Sequence, residues 1–389
     1  MSTQTTSMQE NTIQPQPIDQ HEPILHTALF LGMFFVFLGY VVEQFSLQGD
    51  ASAGLMYQFI ASFLLPFFII MAGYMSNPMT MTLGPKAFLA RIGTSRIIPY
   101  VVFSLLMLVS SIVLPGWFPA GGTGSLNNMI GGVMSTLIGT PVFDIPAWFI
   151  ALLVSTECMH YFVGRLLTTK TRLIAVMVIF YLEGYWFNAA VQFIFQTYDW
   201  NLNFWFLSQT PMMYGFYLFG VFMRSTDYMQ RNVSRRNILI AMGIGLICLL
   251  LASRLNTEPF HLLPSTVFLA GGTSNLFLLP FTALLGTALL ILGAKLWNTS
   301  SPWTARLGKN TILLFCLNGI FYHYMNPLIA KWSVTLLGTA WWATGILSMA
   351  MAVFSMALCI PIVTLVARSF PQRIGRWEIV ASVPDTIEQ

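Results

Sequence analysis

The chain has 389 residues, of which 56% are hydrophobic and only 8% are charged, and its formal net charge is +4. A water-soluble domain carries about 25% charged residues, because its surface has to be hydrated. The composition therefore excludes a soluble globular protein and predicts one that lies largely in a lipid bilayer. The basic residues form no stripe with interleaved aromatic residues, so we expect no nucleic-acid partner.

The hydrophobic residues are gathered into long runs between two polar ends. We predict a disordered cytoplasmic tail at 1–22, a transmembrane domain at 23–368 and a cytoplasmic tail at 369–389. A helix crosses the bilayer core with about 20 residues. Ten runs approach or exceed that length, which predicts an all-α bundle with about ten transmembrane spans: 25–47, 53–75, 97–114, 147–163, 173–190, 204–222, 238–252, 276–292, 311–329 and 336–366.

The positions of the basic residues predict how these spans are oriented. Of the 18 Lys and Arg residues, 16 fall in alternate loops or in the C-terminal tail, and only Arg254 and Lys331 fall on the opposite side. Cytoplasmic loops are enriched in Lys and Arg. We therefore expect both termini in the cytoplasm and the segments 115–146 and 191–203 outside, with a short interfacial helix at 129–138.

Two ionisable residues on the fourth span are candidates for chemistry. Glu157 and His160 are three residues apart, a spacing that places both side chains on one face of a helix. Such a pair can form a proton relay with an activated base. It can also be structural, with the histidine simply satisfying the carboxylate inside the bilayer.

The ninth span carries a polar stripe in its outer half. Asn318, Tyr322, His323 and Asn326 recur at helical spacing and so share a face. The functional interpretation is a site that opens to the outside, and the alternative is a histidine in the aromatic belt at the membrane interface. The four cysteines are far apart and the chain has no dinucleotide or nucleotide-binding loop, so we expect no metal and no permanently bound cofactor.

Four mostly apolar motifs occur in one order along the chain. They are the Ala-Gly-Tyr at the end of Pro66–Tyr74, the Ile-Pro-Tyr at the end of Arg91–Tyr100, the Trp-Phe of Pro146–Leu152, and the Leu-Gly-Lys-Asn-Thr of Leu307–Phe315. In these motifs and in its span count the chain resembles the acyltransferase-3 family, the integral membrane acyltransferases that modify cell-envelope glycans. The resemblance extends over about residues 25–367.

The resemblance implies a reaction and a location. Such enzymes take an acyl group, usually acetyl, from cytoplasmic acyl-CoA and place it on a sugar hydroxyl at the outer face of the bacterial inner (plasma) membrane. The expected acceptor is a cell-surface polysaccharide or a lipid-linked sugar, and the polysaccharide synthesis machinery is an expected partner. The alternative is a non-enzymatic relative that acts in polysaccharide export or as a membrane subunit of a glycan synthesis complex.

The same resemblance suggests which residues bind substrates. Arg91 and Arg96 lie on the predicted donor side, where guanidinium groups would pair with the phosphates of CoA. Their alternative role is the positive charge that any cytoplasmic loop carries. Tyr74 and Trp148, in two of the matching motifs, and Asn318, on span nine, complete the predicted substrate-binding set.

The chain departs from the family pattern in the first span. Family members usually carry an arginine early in this span and a histidine late in it, whereas here no arginine precedes Arg91 and the late position is Tyr40. Ionising a tyrosine at pH 7 costs roughly 4 kcal/mol, so it is a poor general base. We therefore predict a catalytic set of Tyr40, Glu157, His160 and His323. His323 is the expected base, because it alone of the five histidines lies within a span and towards the outer face.

Overall fold

The structure is a computed structural model, and it describes most of the transmembrane domain. The described stretches are 22–114, 126–198, 203–226, 229, 233–256, 275–297 and 302–369. Regular secondary structure within these stretches is helical throughout, which confirms the all-α prediction. Almost all of both predicted tails, and part of each predicted outer segment, lie outside the described residues.

Fifteen α-helices are described. In chain order they are α1 (Glu22–Leu47), α2 (Ala51–Ala61), α3 (Leu64–Tyr74), α4 (Pro85–Ile92), α5 (Ile98–Val113), α6 (Leu126–Leu137), α7 (Trp148–Val163), α8 (Lys170–Tyr198), α9 (Thr210–Ser225), α10 (Arg235–Leu255), α11 (Leu278–Trp297), α12 (Pro302–Lys309), α13 (Thr311–Ile320), α14 (Asn326–Leu337) and α15 (Trp341–Ser369).

Nine helical segments among the described residues are long and apolar enough to cross a bilayer. They are α1, α2 with α3, α4 with α5, α7, α8, α10, α11, α13 with α14, and α15. The run at 204–222, predicted as a tenth span, overlaps α9, which has only 16 residues and is short for a bilayer core. The count of ten and the cytoplasmic termini therefore stay predictions, while the multi-pass helical architecture is confirmed.

Two spans contain a π-helical turn directly before a proline. The turns are Gly93–Ile97, before α5, and Phe321–Met325, before α14. Pro99 and Pro327 have no N–H to donate to the carbonyl four residues earlier. The helix widens instead, and the backbone N–H groups of Ile98 and Asn326 reach carbonyls five residues back. π-helical turns are rare in proteins, and those that occur often lie at functional sites.

The centre of the bundle is α3, whose eleven residues are all buried. Its backbone touches that of α9. A Cβ atom added to Gly73 would lie 1.9 Å from the carbonyl oxygen of Tyr217, and one added to Gly220 would lie 1.9 Å from that of Ile70. Small residues allow membrane helices to approach this closely. The Ala-Gly-Tyr motif of the sequence is therefore a helix-packing motif.

The predicted outer segment 115–146 contains a helix, α6, which agrees with the short helix expected at 129–138. This helix is held against the segment before α9, because the backbone N–H of Trp205 donates to the carbonyl of Ile138 at 2.8 Å. The indole N–H of Trp205 also donates to the carbonyl of Leu137 at 3.0 Å.

Candidate active site

Basic and titratable side chains meet in a cavity where α3, α4 and α7 approach one another. The cavity has a volume of about 60 Å³ and is lined by Arg91, Arg96, Glu157, His160 and Tyr217, among others. It lies at the end of the bundle where the basic loops emerge, which is the predicted cytoplasmic end. We call it the arginine cavity.

The two arginines of this cavity have different partners. The Nη2 atom of Arg96 lies 3.0 Å from the Oε1 atom of Glu157, in an ion pair that is mostly buried. Arg96 belongs to the π-helical turn before α5, so the widened turn sets the position of its guanidinium. Arg91, one helical turn earlier, donates a hydrogen bond of 2.5 Å to the hydroxyl of Thr80.

Glu157 and His160 line the same cavity but are bound to different residues. Whereas Glu157 pairs with Arg96, the Nδ1 atom of His160 lies 3.1 Å from the hydroxyl of Tyr214. The ring of His160 also packs 4.8 Å from that of Tyr217. Helical spacing thus placed both side chains correctly on one face. It did not show that each has its own partner on a neighbouring element.

A second polar group of residues lies towards the other end of the bundle. We call it the outer cluster and define it as Tyr40, Glu43, Asp144, Trp148, Asn318, Tyr322 and His323. The rings of Tyr40 and Tyr322 meet edge to face at 5.3 Å, and those of Tyr322 and His323 at 5.0 Å. Tyr40 also interacts with Trp148 through a side-chain hydrogen bond.

His323 is 4% exposed and lies in the second π-helical turn. The carboxyl of Glu43 is also buried and interacts with Tyr57 of α2 through a hydrogen bond. The predicted base is therefore held in a widened turn among aromatic rings. A buried acid lies nearby, in the same cluster.

Asp144 is a member of the outer cluster that the sequence analysis missed. Its side chain is fully buried, and a Cβ added to Gly319 would lie 2.1 Å from its Oδ1 atom. Burial raises the pKa of Asp144 well above its usual range, which favours the neutral acid, a hydrogen-bond donor. The only hint of its role in the sequence is that this acidic residue lies two positions before the Pro-Ala-Trp-Phe motif.

Asp144 and Asn318 share an unusual property. Neither the carboxyl oxygens of Asp144 nor the amide of Asn318 has a hydrogen-bond partner within the described part of the chain, although both side chains are 0% exposed. Buried polar groups in folded proteins are almost always satisfied, so these two side chains are candidates for binding a further group. These two side chains have the chemistry to hold a substrate hydroxyl.

The predicted substrate-binding residues divide between the two places. Arg91 and Arg96 line the arginine cavity, and Tyr74 is buried at the end of α3 beside residues that line it. Trp148 and Asn318 lie instead in the outer cluster. His160 and Trp148 are twelve residues apart on α7, which corresponds to about 18 Å along the helix.

Three phenylalanines fill the core between the two places. The rings of Phe149 and Phe315 stack at 4.7 Å. Phe68 contacts both of them, at 5.8 Å and 5.0 Å. All three side chains are at most 4% exposed. Because the three rings pack together between α3, α7 and α13, passage through this part of the core would require them to move.

A comparison with known families decides the class of protein. Residues 23–364 match the model of the acyltransferase-3 family, which is described as an acyltransferase domain. The chain belongs to this family. It is accordingly a membrane acyltransferase, one that transfers groups other than aminoacyl groups. No curated protein and no solved structure matches the chain.

Proposed function

We propose that the protein transfers an acetyl or other short acyl group from acyl-CoA to a sugar hydroxyl of a cell-surface polysaccharide or lipid-linked sugar. The proposed location is the bacterial inner (plasma) membrane, with the arginine cavity facing the cytoplasm. The observation that carries the proposal is this cavity, in which two arginines line a pocket at the basic end of a membrane acyltransferase.

The donor is assigned to the arginine cavity because the guanidinium groups there have the charge and the planar geometry that bind phosphate. CoA carries several phosphate oxygens, and a planar guanidinium binds phosphate through two parallel hydrogen bonds. Arg96 offers this geometry from a buried position, and Arg91 offers it at the wall of the same cavity. Positive-inside charge requires only exposed residues in the loop, so the burial of Arg96 favours a binding role.

The acceptor is assigned to the outer cluster. We assign His323 as the base that removes the proton from the sugar hydroxyl while its oxygen attacks the thioester carbon. The C–S bond then breaks, and the sulfur of CoA leaves with the proton that the imidazole returns. In this proposal Asn318 and Asp144 hydrogen-bond the acceptor hydroxyls or the oxyanion of the tetrahedral intermediate.

The two assignments require the thioester to travel within the bundle. The phosphates of the donor would stay at the arginine cavity while the extended pantetheine arm reaches about 18 Å towards Trp148. The rings of Phe68, Phe149 and Phe315 would have to change rotamer to let it pass. In a second route the thioester stays in the arginine cavity, where His160 would serve as the base for an acceptor that enters deep into the bundle.

The test measures glycan acylation in cells and in vesicles. A deletion strain should lose acetyl groups from its surface glycan while the amount of glycan stays unchanged. The purified protein in proteoliposomes should transfer label from [¹⁴C]acetyl-CoA to added glycan. A deletion strain with normal acetylation but less glycan would overturn the proposal and favour a role in export or synthesis.

A further inference from the structure

An apolar groove runs along α10 on a side of the bundle remote from the arginine cavity. Its larger part has a volume of about 610 Å³ and lies between α10, α11 and the aromatic residues Phe35, Phe59 and Phe63. A second part, of about 310 Å³, shares Phe35 and Phe59 with the first. We call the two parts together the α10 groove.

The α10 groove has the dimensions of one extended hydrocarbon chain. It follows α10 from Met242 to Arg254, twelve residues that correspond to about 18 Å. The bilayer core is about 30 Å thick, so the groove covers more than half of it. Gly243 lines the groove, and a Cβ added there would meet no atom within 4 Å, so a larger side chain at this position has open space to extend into.

The groove is apolar along its length but has a cation at one end. Its polar lining residues are Gln58, Ser253 and Arg254, at the end of α10 that is predicted to face outside. Arg254 is exposed and forms no hydrogen bond or ion pair with the described residues. It is also one of only two basic residues on that side, where positive charge is disfavoured.

We propose that the α10 groove binds a polyisoprenyl phosphate, a single-chain lipid, with its chain along α10 and its phosphate at Arg254. The charge of Arg254 complements the phosphate, and a guanidinium binds phosphate through paired hydrogen bonds. One groove beside one helix receives one chain, whereas a glycerophospholipid would leave its second chain unbound.

The position of the groove suggests why the protein would bind this lipid. Gln58, at the mouth of the groove, follows Tyr57, which reaches Glu43 of the outer cluster by a hydrogen bond. Adjacent residues of α2 therefore contact the mouth of the groove and the outer cluster. A sugar attached to the bound phosphate would lie beside the acceptor site. This role as carrier of the acceptor rests on the proposed function, whereas lipid binding itself does not.

The experiment measures lipid binding without any acyl donor. The full chain is reconstituted in phosphatidylcholine nanodiscs with a photoreactive, radiolabelled polyisoprenyl phosphate, and the labelled protein is quantified. Arg254→Gln removes the cation and Gly243→Leu fills the groove. We expect Arg254→Gln to weaken binding about tenfold, which corresponds to the loss of one charge-assisted contact. Gly243→Leu should weaken binding by a similar factor, because its side chain would occupy the space of the hydrocarbon chain. Phosphatidylglycerol and inorganic phosphate, added as competitors, should not displace the label.

Two matched variants serve as controls. Lys331→Gln removes the other outer basic residue, and Gly345→Leu adds the same side chain where a Cβ also meets no atom. Both should bind like the wild type. Equal labelling of all four variants would overturn the proposal, and so would a loss of labelling in Lys331→Gln as large as that in Arg254→Gln. Full displacement by phosphatidylglycerol would assign the groove to ordinary phospholipid.

Failure here can be distinguished from failure of the proposed function. If Arg254→Gln binds the probe normally and cells still acetylate their glycan, the lipid site is wrong and the acyltransferase reaction stands. If the probe binds as expected but no acyl transfer occurs with any glycan, the lipid site stands and the acceptor assignment is wrong. Arg254→Gln changes only an exposed side chain, so its result is interpretable even if Gly243→Leu fails to fold.

Discussion

The guanidinium of Arg96 and the carboxylate of Glu157 form an ion pair of 3.0 Å in the wall of the arginine cavity. A phosphate that enters this cavity must compete with the carboxylate for the same guanidinium. Glu157 thus holds Arg96 in position in the absence of donor and opposes the binding of an anion. The two residues should therefore affect donor affinity in opposite directions.

The first prediction concerns Arg96. Arg96→Lys keeps the charge but loses the planar fork that binds phosphate through two hydrogen bonds. We expect the affinity for acetyl-CoA to fall about tenfold, measured by isothermal titration calorimetry on the detergent-solubilised protein. Glu157→Gln should instead raise the affinity, because it removes the competing carboxylate.

The control for this prediction is Arg172→Lys. Arg172 is an exposed residue on the same predicted side of the membrane, and it is hydrogen-bonded to Thr168 rather than to a group in the cavity. It should bind acetyl-CoA like the wild type. Unchanged affinity in Arg96→Lys, together with unchanged affinity in Glu157→Gln, would show that the donor binds elsewhere.

The second prediction concerns the base. If His323 removes the proton of the acceptor, His323→Ala should lower the rate of acyl transfer by about 10²–10⁴-fold. Tyr40→Phe should have a much smaller effect, because it keeps the ring that packs on Tyr322 and loses only a hydroxyl. The measurement is initial rate in proteoliposomes, with each variant first shown to insert at wild-type level.

His160→Ala decides between the two bases. A wild-type rate in His323→Ala, with loss of activity in His160→Ala, would move the chemistry to the arginine cavity and the acceptor deep into the bundle. Wild-type rates in all three variants would mean that none of these side chains acts as an essential group.

The third prediction concerns orientation. A chain with its native cysteines replaced receives a single cysteine at Leu126 or at Ser234, both exposed in the structure. A membrane-impermeant maleimide added to intact cells should label Leu126→Cys and not Ser234→Cys, because loops rich in Lys and Arg are expected to face the cytoplasm. Labelling of both positions from the same side would overturn the predicted topology.

Hydropathy revealed most of the architecture, because the length of an apolar run is a local property of the sequence. The break between α2 and α3 and the shortness of α9 were not predicted, because both interrupt runs that are predominantly apolar in the sequence. The partners of Glu157 and His160 were also hidden, since Arg96 and Tyr214 are 61 and 54 residues away in sequence. Asp144 was missed for the same reason, because only the fold brings it against Gly319.

The fourth prediction concerns the contact between α3 and α9. Gly220→Ala places a methyl group 1.9 Å from the carbonyl oxygen of Ile70, so the two backbones must separate. Overpacking of this kind typically costs 1–3 kcal/mol. We expect a lower midpoint of thermal unfolding in detergent. Gly345→Ala is the control, since its methyl group meets no atom; equal midpoints for the two variants would refute the backbone contact.

The last prediction concerns pH and rests on Asp50, which lies between the first two spans. Burial opposes its ionisation, but hydrogen bonds from Ser52, Thr344 and the backbone of Ala53 outweigh burial and lower the pKa of Asp50 below its usual 3.8. The carboxylate caps α2, and its Oδ2 atom accepts a bond of 2.5 Å from Thr344 of α15. A lowered pKa stabilises the folded state above pH 3.8, and this contribution is lost as the pH falls through the folded-state pKa of Asp50.

Asp50→Asn has no charge to lose, so its midpoint of thermal unfolding should lie below that of the wild type at pH 6. The difference should shrink as the pH falls below 3.8 and through the folded-state pKa of Asp50, because the wild-type side chain then becomes neutral as well. Comparing the two proteins at each pH cancels the titration of every other group, and a difference that stays constant with pH would show that the charge of Asp50 does not stabilise the link between α2 and α15.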